Sequence, residues 1–367
     1  WLTLLGLAAA LACFGAWHNS YGEDASLLLS QGSLTIVFLV YVAATTVFHI
    51  ARTQMPKTFD QILIVANGAM YFGISCSLLW DDHRPWVGAF SVALALFYSG
   101  IGYLIFRRSV ENIALSFSSM GMALLFLTVT VPIQLGDSVW TTIVWAAEVP
   151  FLIWMSYTRN IPHLRVFAYG VSLILAGRLI FFDTGVDLES FNVLLNERVL
   201  AFVVAIAGWY LSAYLIGKNQ HTQSHQPKWE LKLVPARAFL ITANFFSLWL
   251  ITAEVISGFD QHLMGGAQPN VEAIKDAKNL VITTVWAAYA GCLLAVGIVT
   301  RTRSIRLAGL GLLTIPIAKV FVYDVFMLST TYRVAAFIGL GFLLLASGYA
   351  YQRFGNLIKG YLVDKSS

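Results

Sequence analysis

TTIVWAAEVPFLIWM, residues Thr141 to Met155, is apolar at nearly every position, yet it carries Glu148 and, two residues later, Pro150. Widened to Val139–Tyr157, the run approaches the roughly 20 residues that cover the hydrocarbon core of a bilayer. A second run, ITTVWAAYAGCLLAV from Ile282 to Val296, echoes it 141 positions further on, with Trp145 falling on Trp286. Whether such runs are membrane spans or the core of a soluble protein decides the fold.

Composition answers that question. Of 367 residues, 58% are hydrophobic and only 11% charged, and mean hydropathy is +0.73. A soluble domain carries about 25% charged residues. Water cannot be the only solvent of this chain, and the bilayer takes its place. Trp and Tyr, which favour membrane interfaces, are abundant. The three cysteines, Cys13, Cys76 and Cys292, lie in separate apolar runs without metal-ligand or disulfide spacing. The sequence opens on Trp1 and not on Met, so further sequence is expected upstream.

Twelve runs are long enough to span: Trp1–Trp17, Leu27–Ala51, Phe59–Trp80, Pro85–Phe106, Asn112–Leu135, Val139–Tyr157, Leu164–Phe182, Val199–Ile216, Leu233–Phe259, Leu280–Thr300, Ile305–Phe326 and Val334–Tyr351. The expected fold is an all-α polytopic transmembrane bundle. Lys and Arg cluster in every second connection, for example Arg107 with Arg108, Lys228 with Lys232, and Arg301 with Arg303. The alternate connections hold most of the acids, among them Asp81, Asp82, Asp187 and Glu189. The positive-inside rule puts the basic side, with both visible termini, in the cytoplasm.

The echo is longer than one helix. The same shift of 141 carries Arg165 onto Arg306, Gly170 onto Gly311, Arg178 onto Lys319 and Asp183 onto Asp324, without a gap. After a shorter loop, Arg198 falls on Arg333. The pattern predicts a parallel internal repeat, 139–216 and 280–351. It organises the chain as N-terminal spans 1–135, repeat A 136–216, a polar cytoplasmic linker 217–232, and repeat B with its tail 233–367.

Two features point to chemistry. Arg178 and Lys319 each precede an aspartate by five residues near the outer end of a span, and Arg198 and Arg333 open the helices that follow. Charges inside a membrane are expensive and are kept for pairing or for function. Arg178, Asp183 and Arg198, with Lys319, Asp324 and Arg333, form either an outward-facing vestibule for an anionic headgroup or interhelical pairs such as Asp183–Arg198. Glu148 is expected near mid-bilayer, about 12 Å from Trp140 by helical rise, beside a proline that frees the Ala146 carbonyl. Glu254 reads as an interface acid that snorkels outward. His221 and His225 in the linker lack the flanking ligands of a metal site. No nucleotide-binding, nucleophile-elbow or zinc-protease motif is present. No catalytic residue, metal or cofactor is expected.

RLAGLGLLTIPIAKVFVYD (Arg306–Asp324) and YRVAAFIGLGFLLLASGYAYQRF (Tyr332–Phe354) resemble a bacterial family of polytopic membrane proteins, domain of unknown function 2339. FLTVTVPIQL (Phe126–Leu135) and WTTIVWAAEVPFLIW (Trp140–Trp154) resemble the central motif of the same family. The resemblance runs from about Leu125 to Phe354. It singles out Trp145 and Glu148; Lys319, Val320, Phe321 and Asp324; and Tyr332 with Arg333. It implies a many-helix protein of the bacterial inner membrane and brings no activity with it. The sequence therefore supports three expectations. The chain is a translocator of an anionic or amphipathic envelope component, a non-catalytic subunit of a larger membrane complex, or an enzyme acting on a lipid-linked substrate. Membrane lipids, and protein partners in such a complex, are its expected neighbours; nucleic acid is not.

Overall fold

The computed structural model describes residues 2–21, 26–52, 58–108, 113–159, 161–189, 191–220, 235–264, 271–300 and 302–320, with short pieces between 330 and 349. Up to Val320 they form ten helices: α1 (Leu2–Tyr21), α2 (Leu27–Arg52), α3 (Thr58–Arg108), α4 (Ile113–Leu135), α5 (Val139–Arg159), α6 (His163–Phe181), α7 (Glu197–Gln220), α8 (Pro235–Met264), α9 (Val271–Val299) and α10 (Arg303–Lys319). No strand occurs among the described residues. This is the outcome that lipid dictates, because a helix satisfies its own backbone polar groups. Nine helices among the described residues are long and apolar enough to cross a membrane. The protein is an all-α polytopic membrane protein.

At 51 residues, α3 would reach about 76 Å if straight, more than twice a bilayer core. It reverses instead at His83, whose φ of −129° and ψ of 23° are non-helical. Pro85 follows and deprives the Asp81 carbonyl of its helical donor. The arms lie back on one another: Tyr98 Oη donates to the Ile64 carbonyl at 3.4 Å, and the Phe72 and Phe90 rings stack at 6.2 Å. These arms are the two spans read from the sequence as Phe59–Trp80 and Pro85–Phe106. The connection expected between them is helical apart from His83.

The chain forms two compact units, Trp1–Arg178 with Tyr214–His225, and Leu179–Ala213 with Gln226–Ser367. The first unit is centred on α1 to α4, whose core includes Phe38, Tyr71, Tyr98, Ile105, Leu115 and Phe126. Polar side chains join its helices through backbone carbonyls. Asn67 Nδ2 donates to Phe38 O at 3.0 Å, Ser91 Oγ to Phe126 O at 2.9 Å and Ser116 Oγ to Gly102 O at 2.8 Å. The last contact depends on Gly102, where an added Cβ would stand 3.2 Å from Ser116 O. Small residues that admit a close neighbour are how helices pack where lipid removes the hydrophobic drive.

The second unit holds most of α7 together with α8, α9 and α10. Trp209 and Phe202 of α7 pack on Phe246 of α8, with ring centroids 4.8 and 6.0 Å apart. At Gly309 a Cβ would meet Leu294 N at 2.9 Å, so α10 lies directly on α9. Asn196 caps α7, its Oδ1 accepting from Val199 N at 2.9 Å. α7 continues through Gly217–Gln220, the start of the expected linker; residues 221–234 lie outside the described part.

Candidate functional site

In the first unit the chemistry gathers where α4, α5 and α6 meet. Pro132 has no N–H to give to the Thr128 carbonyl, four residues back in α4. The indole of Trp145 supplies the missing donor, Nε1 to Thr128 O at 3.1 Å. The Thr128 hydroxyl lies 2.6 Å from Glu148 Oε1 and 3.0 Å from Leu124 O, so one proton faces two acceptors. Glu148 is half-buried at the floor of a groove of about 490 Å³ between α4 and α5. The remaining walls are Leu124, Leu127, Val131, Val144, Ala147, Phe151 and Leu152. No described residue bonds Oε2 of Glu148. α4 carries no charged side chain, so the carboxyl is the polar feature of an otherwise hydrocarbon groove. Leu127, Val144 and Phe151 are exposed, which leaves the groove open on an apolar side.

The Trp145 bond has a testable energy. Trp145→Phe leaves the Thr128 carbonyl buried and unsatisfied, and we expect a loss of about 1–3 kcal/mol. Pro132→Ala restores a backbone N–H to that carbonyl. Thermal unfolding in lipid nanodiscs should therefore show a much smaller effect of Trp145→Phe in the Pro132→Ala background.

Arg178, 7% exposed, fastens α6 to α5. Its Nε donates to Thr142 Oγ1 at 2.8 Å and its Nη2 to Ser138 O at 3.2 Å. Its Nη1 stands 3.9 Å from the exposed Asp137, and its guanidinium lies 6.0 Å from the Trp145 ring. In the second unit Lys319 fastens α10 to α9 in the same way. Its Nζ donates to Thr283 Oγ1 at 2.5 Å and to Asn279 O at 3.1 Å. Both acceptors stand 141 positions from those of Arg178, so base, threonine and carbonyl recur at one spacing. Tyr289, which aligns with Glu148, also bonds a polar side chain of the preceding helix: Oη donates to Asn244 Oδ1 at 3.0 Å.

Arg198 is 4% exposed and spends all five N–H donors inside the second unit. Nε and Nη2 reach Glu254 Oε1 at 3.0 and 2.7 Å, and Nη2 also reaches Ala253 O at 3.2 Å. Nη1 reaches Ser257 Oγ and Thr184 O, both at 3.0 Å. The Asp183–Arg198 pairing read from the sequence is therefore replaced by Arg198–Glu254. Glu254 does not snorkel: it is 6% exposed and also accepts from Leu194 N at 3.0 Å and from Asn196 Nδ2 at 3.0 and 3.2 Å. With so many donors on its oxygens, the carboxyl is satisfied without reaching water.

Asp183 is half-buried in the turn that follows α6. Asp324 and Arg333 lie outside the described residues. Sequence reasoning passed over Thr128, Thr142 and Thr283, and gave Glu254 the wrong surroundings. The threonine pair carries a signal that could have been read, since Thr142 and Thr283 align under the shift that pairs Arg178 with Lys319.

Fold and site thus define a polytopic helical membrane protein whose intramembrane charges are held between helices. Residues 184–354 match the family model described as "Predicted membrane protein (DUF2339)", the family resembled by the C-terminal motifs. No curated protein and no solved structure matches the chain.

Proposed function

We propose that this protein is a translocator of an amphipathic envelope component that enters sideways from the bilayer, with Glu148 meeting its polar head. The observation that carries this reading is the α4–α5 groove: hydrocarbon walls, one carboxyl, and an open apolar side. Apolar pockets with a few well-placed polar groups are the usual form of a ligand site. Pro132 and Pro150 weaken helical bonding on both sides of it, as in transporter helices that border a cavity. Arg178, Lys319 and Arg198 act in this reading as braces. The parallel duplication of 139–216 and 280–351 belongs to the same proposal, supported by the two base–threonine–carbonyl contacts. So do an inner-membrane location and cytoplasmic placement of both visible ends, on the strength of the basic loops.

The test compares wild type with Val144→Trp, which fills the groove, and Glu148→Leu. Each is extracted with its surrounding lipid for native mass spectrometry, then reconstituted in vesicles carrying headgroup-labelled phosphatidylglycerol. An amphiphile bound by wild type and lost in both variants, with lipid flipping accelerated only by wild type, is the expected result. Equal flipping by all three proteins and by empty vesicles defeats the proposal.

The buried pairs favour a second reading, a non-catalytic subunit bracing a larger membrane complex, because Arg198 keeps no donor for a ligand. A stoichiometric protein partner, with no bound amphiphile, is the outcome that selects it.

A further inference from the structure

The connection from α6 to α7 ends in three consecutive exposed apolar residues, Val193, Leu194 and Leu195, which are 56%, 67% and 85% exposed. We propose that this tip is a wedge seated in the headgroup–acyl boundary of the bilayer. Three observations within the second unit converge on it.

The first is depth. Leu194 N is bonded to Glu254 of α8, which fixes the tip at the level of that carboxylate. Glu254 lies 17 residues beyond Arg237, the cation at the start of α8, or about 26 Å along the helix. A hydrocarbon core is about 30 Å thick, so the tip sits where the acyl chains end.

The second is rigidity. Leu194 has a φ of +66°, the one non-glycine residue with positive φ among those described. Such a conformation persists only where its surroundings hold it. Here the Glu254 bond holds it, with Phe191 buried beneath the Arg198 guanidinium at 5.6 Å and Gln261 Nε2 donating to Phe191 O at 2.8 Å. The tip is presented outward by a braced loop.

The third is continuity. Leu200 and Val203 extend the exposed apolar surface from the tip along one face of α7, the face that lipid covers in a membrane-spanning helix. The flanking Asp187, Glu189 and Glu197 are exposed. Their charge is repelled by anionic headgroups, so apolar insertion holds the wedge and a neutral lipid suffices.

The experiment places a nitroxide at Leu195→Cys, and separately at Val193→Cys, with Asp187→Cys as the aqueous reference. The background is the full chain with Cys13, Cys76 and Cys292 replaced by Ala and its thermal transition retained, in phosphatidylcholine nanodiscs. Collision with oxygen, which partitions into lipid, is compared with collision with a water-soluble nickel chelate. We expect the oxygen-to-nickel ratio at both tip positions to exceed that at position 187 several-fold. A nickel-accessible tip overturns the proposal. So does a tip shielded from both reagents, which would place a second copy or another protein over it.

Discussion

Glu254→Ala is expected to destabilise the protein by about 3–5 kcal/mol, because it strands the Arg198 charge in a buried site. Several contacts fail together. Arg198 loses two hydrogen bonds to the carboxylate, Leu194 loses the acceptor of its N–H, and Asn196 loses both of its bonds to the acid. The loop from Thr184 to Asn196 should loosen with them, seen as faster amide exchange there than in α9. Glu254→Gln keeps an acceptor but not the charge and should fall between wild type and alanine. Replacing both partners by apolar residues, Arg198→Met with Glu254→Leu, should recover much of the loss, since a buried pair of this kind contributes little over a well-packed hydrocarbon substitute. Thermal unfolding in nanodiscs compares the three variants with wild type. A Glu254→Ala protein as stable as wild type would mean that the buried pair does not hold the loop.

The second large effect concerns the two clasps. Arg178→Met removes two charge-assisted bonds from α6, one to Thr142 of α5 and one to Ser138 just before it, and Lys319→Met removes two between α9 and α10. Hydrogen bonds to charged groups contribute about 1.5–3 kcal/mol each, so either change should lower stability by about 3 kcal/mol. Arg178→Lys should lose under about 1 kcal/mol, although Lys and Arg seldom interchange freely, because Lys319 shows that one ammonium reaches both a threonine hydroxyl and a carbonyl at this spacing. Double-mutant cycles with Thr142→Val and Thr283→Val isolate the pairwise terms. If the halves descend from one unit, the two coupling energies should agree within about 0.5 kcal/mol, the scatter of independent sites. Coupling in one half alone would make the shared spacing incidental.

The helices were legible from apolar runs because lipid leaves a long apolar segment one option. The clasps were half legible: repetition exposed Arg178 and Lys319, and the same alignment held the threonines unread. Glu254 was opaque. Its partners stand 56 to 60 positions away, a separation with no periodic signature, and an acid near a helix end reads alike whether it faces water or a buried arginine. The groove was hidden for a related reason. Composition marks Glu148 as unusual, but only the mutual orientation of α4 and α5 decides that its neighbours leave an apolar side open. Pro132 links the two levels, since its missing N–H is plain in the sequence while the donor that replaces it, Trp145, lies on another helix.

The reversal at His83 bears on how the first unit can move. In the folded protein, arms joined by one non-helical residue have no slack between them, so neither can slide or rotate without moving the other. The exposed Asp81, Asp82, His83 and Arg84 mark the common end of both arms.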